Sequence, residues 1–359
     1  KVFNNNPLSI ICSLVCPHEK HCEGHCILNK KHTPVNVGGI ENYISTYYIN
    51  YREFEKPIPN GRNLAIIGSG PAGISLAMIM ALKGFNVTMY EGNNQIGGVL
   101  RYGIPDFRLD KTILDKIEEN LKKIGVKIRK NIMIGKNITL DDLHRDGFDA
   151  IFIGTGVWAP KKLGIKGESL GNVHFAIDYL KTPKAYDLGK KVVVVGAGNV
   201  AMDVARTAIR NGARDVSIMY RKGEDAMPAE RIEIEHAKID GVKFNLFKSP
   251  LEFTQEGINY VNTSEDDNSN GFEPADAILV AISQTARDLI VKNNTGLSLG
   301  ENGLLQSDEN GITTREGVFA SGDVVTGART VVEAVAFSKR VAISIENYID
   351  NLPVKNETL

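Results

Sequence analysis

Four cysteines lie close together near the start of the chain, and the rest of the sequence contains none. Their spacing is Cys12-x3-Cys16-x5-Cys22-x3-Cys26. Side chains four residues apart lie on one face of a helical turn, so each of the two pairs can bring two thiolates together. Four thiolates are the number that one cubane iron–sulfur cluster takes. Histidines lie among the cysteines, so a zinc site is an alternative, and reduced thiols that bind nothing are another.

A glycine-rich turn directly follows the first apolar strand pattern, Leu64–Ile67. In such a turn the first glycine permits the tight bend, the second lets the backbone approach a pyrophosphate, and the third lets the helix pack closely on the strand. A carboxylate at the end of the next strand can hydrogen-bond the two hydroxyls of an adenosine ribose. We therefore predict a dinucleotide site, with a glycine turn that holds no ligand as the alternative. Its residues are Gly68, Ser69, Gly70, Pro71, Ala72, Gly73 and Glu91.

A second turn of this kind follows Val192–Val195 and has the variant that ends in alanine. Two cations stand after its second strand, where the first copy has its carboxylate. A basic pair attracts the extra phosphate of NADP, and an arginine can clamp that phosphate with two hydrogen bonds. Two solvated surface cations, partly neutralised by Glu224, are the alternative. The predicted NADP(H) site consists of Gly196, Gly198, Asn199, Val200, Arg221 and Lys222.

The elements that carry the two turns form an internal repeat. Gly68 and Gly84 recur as Gly196 and Gly212, and strand, turn, helix and strand recur with them. Two βαβ units are the simplest explanation. Further apolar strands are predicted around residues 150–154 and 277–281, and a last helix from about Val331.

We expect an α/β protein with two Rossmann-like domains, the second inserted in the first, preceded by a short helical cysteine-rich segment. The predicted boundaries are 1–56 for the cysteine-rich segment, 57–164 with 287–359 for an FAD-binding domain, and 165–286 for an NADP-binding domain.

Composition limits the remaining function classes. The 359 residues contain 42 Lys and Arg against 43 Asp and Glu, a net charge of −1, so no overall field favours nucleic acid or a membrane surface. The longest apolar stretch, Ile74–Leu82, is about half of what a bilayer span needs. Clustered cysteines without a disulfide framework fit metal ligation in a reducing, cytoplasmic compartment. No dithiol exists outside residues 12–26, which argues against a disulfide reductase.

Motifs along nearly the whole chain resemble the small (beta) subunit of glutamate synthase and its relatives. These are flavoproteins that join NADPH to an iron–sulfur electron chain. The motifs are Asn6-Pro7-Leu8, Val15-Cys16-Pro17, Cys22–Cys26, Gly97–Pro105, Phe107-Arg108-Leu109, Tyr220-Arg221-Lys222, Met227-Pro228-Ala229, Gly322–Gly327 and Thr330–Ala334.

The resemblance implies where the cofactors bind. Cys16, Cys22 and Cys26 match the family's firmer cluster ligands, and the fourth ligand is either Cys12 or a residue of an upstream stretch that the relatives carry. The pattern departs at residues 283–286, where the relatives tend to have glycine and then proline and this chain has Ser-Gln-Thr-Ala. Besides the first turn and Glu91, the implied FAD contacts are Gly98, Leu100, Arg108, Gly322, Asp323, Thr330 and Val331.

The implied function is an NADPH-dependent FAD oxidoreductase that passes electrons between NADP(H) and a 4Fe-4S chain of a redox partner protein or larger subunit. Hydride transfer to a flavin needs positioning of the two rings, so we predict no catalytic side chain. Two alternatives stay open. One is a stand-alone NADPH:acceptor diaphorase, and the other is a flavin-bearing assembly subunit whose cysteine segment binds zinc.

Overall fold

The computed structural model describes residues 1–136, 138–264 and 267–353. Residue 137 and residues 354–359 of the predicted FAD domain, and residues 265–266 of the predicted NADP domain, lie outside the described residues.

The helices and strands follow the order that the sequence predicts for two βαβ units. The α-helices are α1 (Val2–Asn5), α2 (Ser9–Val15), α3 (Val37–Tyr51), α4 (Pro71–Leu82), α5 (Val99–Tyr102), α6 (Thr112–Lys123), α7 (Leu140–Arg145), α8 (Ala176–Lys181), α9 (Asn199–Arg210), α10 (Arg231–Ile239), α11 (Leu289–Lys292), α12 (Asp323–Thr326) and α13 (Val331–Asp350). The strands are β1 (Asn63–Ile67), β2 (Asn86–Tyr90), β3 (Lys127–Arg129), β4 (Ala150–Ile153), β5 (Ala159–Pro160), β6 (Val173–Phe175), β7 (Lys191–Val195), β8 (Asp215–Tyr220), β9 (Lys243–Leu246), β10 (Lys248–Phe253), β11 (Gly257–Asn262), β12 (Asn270–Pro274), β13 (Ala277–Val280), β14 (Gln284–Thr285) and β15 (Val318–Ala320).

The described residues divide into two compact units. Unit 1 comprises the described residues within 1–101, 106–159 and 285–353, and unit 2 comprises those within 102–105 and 160–284. The α/β class and the two Rossmann-like sheets confirm the predicted fold class. The domain boundaries drawn from the sequence stay a prediction.

Unit 1 is built on a five-stranded parallel sheet in the order β15-β4-β1-β2-β3. Strand β4 is apolar along its whole length and β1 after its first residue, because both faces of a parallel sheet are covered. Helix α4 follows β1, and α13 packs on α4. Proline at the first position of α4 starts this helix three residues earlier than its apolar run predicts. The Rossmann turn of unit 1 therefore opens directly into α4.

Unit 2 repeats this arrangement with the parallel order β6-β13-β7-β8-β9, and helix α9 follows β7. An antiparallel sheet, β10-β11-β12, extends the unit after β9. The fully buried run Val192–Val195 lies on the central strand β7, as expected for a strand covered on both faces.

The cysteine-rich segment is part of unit 1 and packs against other elements of that unit. Helix α2 packs on α3, where Ser45 Oγ donates to Ser9 Oγ at 2.7 Å. Lys339 Nζ of α13 donates to Asn5 Oδ1 at 2.8 Å. The guanidinium of Arg52 lies 4.8 Å from the ring centroid of Tyr48. The first two of these contacts join residues far apart in the sequence, so no local sequence pattern predicts them.

Candidate functional site

Two glycines of the first turn are fixed by packing. Gly68 has φ +100°, and a Cβ there would lie 2.5 Å from the Gly154 carbonyl oxygen. A Cβ at Gly73 would overlap the carbonyl oxygen of Gly68. Both positions therefore need glycine for the fold itself, because the overlapping atoms belong to the backbone.

Gly70, the middle glycine, has a different environment. The nearest heavy atom to a Cβ there would be Gly98 Cα at 4.0 Å, an ordinary van der Waals distance. The protein's own packing therefore does not require glycine at this position. An open glycine at the start of a helix is what a backbone approach to a pyrophosphate needs.

Three segments gather around the start of α4. Gly97 N donates to Ser69 O at 2.9 Å, and a Cβ at Gly98 would lie 2.8 Å from Gly70 Cα. A Cβ at Gly322, which has φ +75°, would lie 2.9 Å from Ala72 Cβ. Pro71 is the first residue of α4 and is half-buried. The structure thus brings together the predicted turn, Gly98 and Gly322 at the carboxyl edge of the sheet.

Glu91 is buried directly after β2, with its carboxylate beside the turn. It accepts hydrogen bonds from Ser69 N at 3.2 Å and from the Ser69 hydroxyl. The backbone N and the Nδ2 of Asn93 each donate to Glu91 Oε1 at 2.7 Å. Asn93 was not predicted as a site residue, because no sequence motif marks a side-chain donor to Glu91.

Asp323 follows β15 at the start of α12. Burial raises the pKa of this carboxyl to about 6, against a hydrogen bond from Arg329 N at 3.2 Å. Helix α13 begins eight residues later. Its N-cap Thr330 and its N3 residue Glu333 form a capping box, in which Thr330 N donates to Glu333 Oε2 at 3.0 Å. Val331 is the first residue of α13, so its N–H lies at the positive end of the helix dipole.

Leu100 and Arg108, two further predicted FAD contacts, differ in how far their side chains are buried. Leu100 is fully buried, and its carbonyl accepts from Lys111 Nζ at 3.0 Å. Its side chain belongs to the core, so only its backbone is available to a ligand. Arg108 is half-buried in the segment before α6. That helix begins at Thr112, whose N donates to Asp110 Oδ1 at 2.9 Å.

The second turn has the same division of glycines. Gly196 has φ +126°, and a Cβ there would overlap the Ala281 carbonyl oxygen. A Cβ at Gly198 would meet only Pro228 Cγ at 4.0 Å. Helix α9 begins at Asn199, whose Oδ1 accepts from Glu230 N at 2.9 Å, and the neighbouring Val200 is half-buried. The loop around Pro228 therefore lies beside the open glycine.

Arg221 and Lys222 follow β8 directly, and both side chains are exposed. The Glu224 carboxylate, which in the alternative partly neutralises the two cations, pairs with Lys238 Nζ at 2.6 Å. The two cations thus lie at the carboxyl end of β8, on the edge of the sheet where the second turn begins. Ser283, at the departure from the family pattern, has φ +117°, a conformation that glycine adopts without strain.

The four cysteines adopt two different arrangements. Cys12 is buried in α2 and shares a hydrogen bond with Cys16, which raises the pKa of Cys12 and lowers the pKa of Cys16. Cys22 and Cys26 lie in turns rather than on a helix, which corrects the prediction that both pairs share helical faces. Val35 N lies 3.5 Å from Cys26 Sγ and lowers the pKa of that thiol.

Thiolates are the ligands that a cubane iron–sulfur cluster takes, so the chemistry of this segment fits one. Within the described ranges, no three His, Cys, Asp or Glu side chains converge on a common metal position. The ligand types therefore lie together in one short segment of the sequence.

Comparisons with known proteins agree with this arrangement. Residues 62–337 match the pyridine nucleotide-disulphide oxidoreductase family, and residues 1–53 match dihydropyrimidine dehydrogenase domain II, 4Fe-4S cluster. The glutamate synthase (NADPH) small chain of Halomonas elongata is 34% identical over 96% of this chain and 81% of its own length. The beta subunit of the NADP(+)-dependent formate dehydrogenase of Moorella thermoacetica is 35% identical over 95% of this chain and 55% of its own length.

Solved structures share the fold at lower identity. Thioredoxin reductase of T. acidophilum superposes with a TM-score of 0.64 and 21% identity, over 81% of this chain and 100% of that one. FprA of Mycobacterium tuberculosis in complex with NADPH gives a TM-score of 0.67 and 17% identity, over 81% and 85% of the two chains. In the part of the chain that the structure describes, no helix is both long and apolar enough to cross a bilayer.

The family match over most of the chain and the two dinucleotide turns lead to the same conclusion. The chain belongs to the pyridine nucleotide-disulphide oxidoreductase family, among the relatives of the glutamate synthase small chain, and is an NADPH-dependent FAD oxidoreductase with an N-terminal 4Fe-4S segment.

Proposed function

We propose that this protein takes electrons from NADPH onto FAD and releases them to an iron–sulfur chain that ends in a partner protein. The proposal rests on the two glycine turns, each of which has one glycine where the fold leaves room for a side chain. The strand after the first turn ends in a carboxylate, and the strand after the second turn ends in two cations. We propose residues 57–164 with 287–359 as the FAD domain, 165–286 as the NADP domain and 1–56 as the cluster segment.

The proposed FAD-binding residues contact different parts of the cofactor. The N–H groups at the start of α4 meet the pyrophosphate, with Gly70 giving the backbone access. Glu91 accepts from the ribose hydroxyls after its present donors rearrange. Asp323 accepts from the ribityl hydroxyls, and the N-terminus of α13 at Val331 faces the carbonyl side of the flavin ring. Gly98, Leu100, Gly322 and Thr330 contribute backbone, and Arg108 contributes charge.

The NADP-binding residues act in the same way. The start of α9 at Asn199 and Val200 meets the pyrophosphate beside Gly198. Arg221 and Lys222 bind the 2′-phosphate, which NADH lacks. When bound, the two cofactors supply hydride and electron chemistry themselves, so the protein's contribution is to position them and to keep water out.

We propose Cys16, Cys22 and Cys26 as cluster ligands. Cys12 is only 4% exposed and lies within the packing of α2, which argues against it as the fourth ligand. Similarity to subunits of larger enzymes supports a partner subunit, and the reducing chemistry of free thiols supports a cytoplasmic location. A protein that copurifies with no partner under anaerobic conditions would favour the stand-alone diaphorase.

The cofactor preference tests the NADP assignment. We expect Arg221→Glu to lower kcat/KM for NADPH by roughly 100-fold, because a carboxylate then faces the 2′-phosphate. The same variant should leave kcat/KM for NADH within about threefold, since NADH has no phosphate there. Arg214→Glu is the matched control, as Arg214 is also exposed but precedes β8 at its opposite end. Equal losses for both nucleotides in Arg221→Glu would refute the assignment.

A further inference from the structure

Phe247 has an unusual backbone conformation. It connects β9 to β10 with φ +55°, in the left-handed region that bulky side chains rarely adopt. Phe247 is also 43% exposed, so part of this large apolar residue lies at the surface. Strain of this kind in a position that the core does not require points to a role in binding.

The backbone of Phe247 is tied to the two cations of the NADP site. Phe247 N donates to Lys222 O at 3.3 Å, and Phe247 O accepts from Thr263 N at 2.8 Å. The hydroxyl of Thr263 in turn donates to Arg221 O at 2.6 Å. These bonds hold Phe247 beside the segment that follows β8.

The ring of Phe247 lies against Gly223. A Cβ added at Gly223 would come within 2.8 Å of Phe247 Cζ, so the absence of a side chain at Gly223 lets the ring approach the backbone. The exposed ring thus lies next to the residue that follows Lys222, at the carboxyl edge of the sheet of unit 2.

We infer that the Phe247 ring is the stacking surface for the adenine of NADP(H). The inference rests on the proposed function of Arg221 and Lys222. The 2′-phosphate and the adenine are carried by the same ribose, so a residue beside the phosphate-binding cations is within reach of the base. Aromatic rings stack on bases independently of hydrogen-bonding pattern. The strained turn presents the ring to that base, and Arg221 supplies the charge.

The test uses Phe247→Asn, because asparagine adopts the left-handed region readily and removes only the ring. The probe is adenosine 2′,5′-bisphosphate, which has the adenine and the 2′-phosphate but no nicotinamide. We expect its Kd to rise about tenfold, equivalent to about 1.4 kcal/mol, with no fall in Tm and an unchanged FAD content. Reduced nicotinamide mononucleotide, which lacks adenosine, should reduce the flavin at the same rate in the variant and the wild type.

Two further variants control for indirect effects. Phe247→Tyr keeps the ring and should keep the Kd of the wild type. Gly223→Ala displaces the ring without removing it and should also weaken binding of the bisphosphate severalfold. An unchanged Kd in Phe247→Asn, measured on protein whose wild type binds the probe, overturns the inference and leaves the proposed function intact. A wild type that does not bind the probe overturns the proposed NADP site itself, and the inference with it.

Discussion

At the scale of single residues, the glycines of each turn divide into those that the fold needs and one that it does not. Gly68, Gly73 and Gly196 meet backbone oxygens where a Cβ would be. Gly70 and Gly198 have room for a Cβ at ordinary contact distance. A sequence pattern assigns the same letter to both kinds, and only the structure separates them.

This division predicts different outcomes for two neighbouring substitutions. Gly70→Ala should fold with a Tm near that of the wild type but should lose most of its FAD, because the new methyl group occupies the approach to the pyrophosphate. Gly73→Ala should be destabilised by about 3 kcal/mol, because its methyl group overlaps backbone that cannot move freely. The measurements are the FAD-to-protein absorbance ratio and thermal unfolding. Normal FAD content in Gly70→Ala would contradict the proposed site.

Asp323 predicts a pH effect on the FAD-free protein. Its pKa is near 3.8 in the unfolded chain and about 6 in the folded one, so the folded protein binds more protons between those values and loses stability as the pH rises through them. Asp323→Asn should therefore make the FAD-free protein more stable by about 3 kcal/mol at pH 8, with a smaller difference at pH 5, while weakening FAD binding. Urea unfolding at the two pH values measures this. If the free energy of unfolding changed with pH by the same amount in the wild type and in Asp323→Asn, the Asp323 carboxyl would not be desolvated.

At the scale of elements, strands and helices with a strong apolar pattern were predictable, and short segments governed by side-chain contacts were not. The strands β1, β4, β7 and β13 appear where apolar runs predict them. Cys22 and Cys26 do not share a helical face as predicted, because Cys26 N donates to Glu23 O at 3.2 Å in a turn. The segment is held to α3 by Gly38 N, which donates to Glu23 Oε1 at 3.2 Å. Bonds between segments this far apart leave no periodicity to detect.

The cysteine segment predicts unequal effects of four substitutions. Serine at position 16, 22 or 26 should each remove most of the iron and acid-labile sulfide, because each proposed ligand is lost. Cys12→Ala should keep both near the wild-type content and should cost about 1 kcal/mol of stability, because it removes only a buried thiol. Metal analysis of anaerobically purified protein measures iron, zinc and sulfide together. Zinc in place of iron would favour the assembly subunit.

At the scale of the whole molecule, the sequence repeat was the most informative feature. Its two copies correspond to the two parallel sheets, and each sheet presents its turn at the carboxyl edge of its strands, where α/β proteins bind ligands. The attachment of the cysteine segment to α13 was not predictable, because the bond from Lys339 to Asn5 joins residues from opposite ends of the chain. The positions of the two glycine turns were thus predictable from local motifs, whereas the packing of the cysteine-rich segment was not.

The central claim is that NADPH, FAD and an iron–sulfur cluster form one electron path in this protein. An anaerobic titration with NADPH, followed by visible absorbance and by electron paramagnetic resonance, tests it most directly. We predict that the flavin absorbance bleaches and that the signal of a reduced iron–sulfur cluster appears as NADPH is added. A bleached flavin without an iron–sulfur signal, in protein of confirmed iron and sulfide content, would contradict the claim.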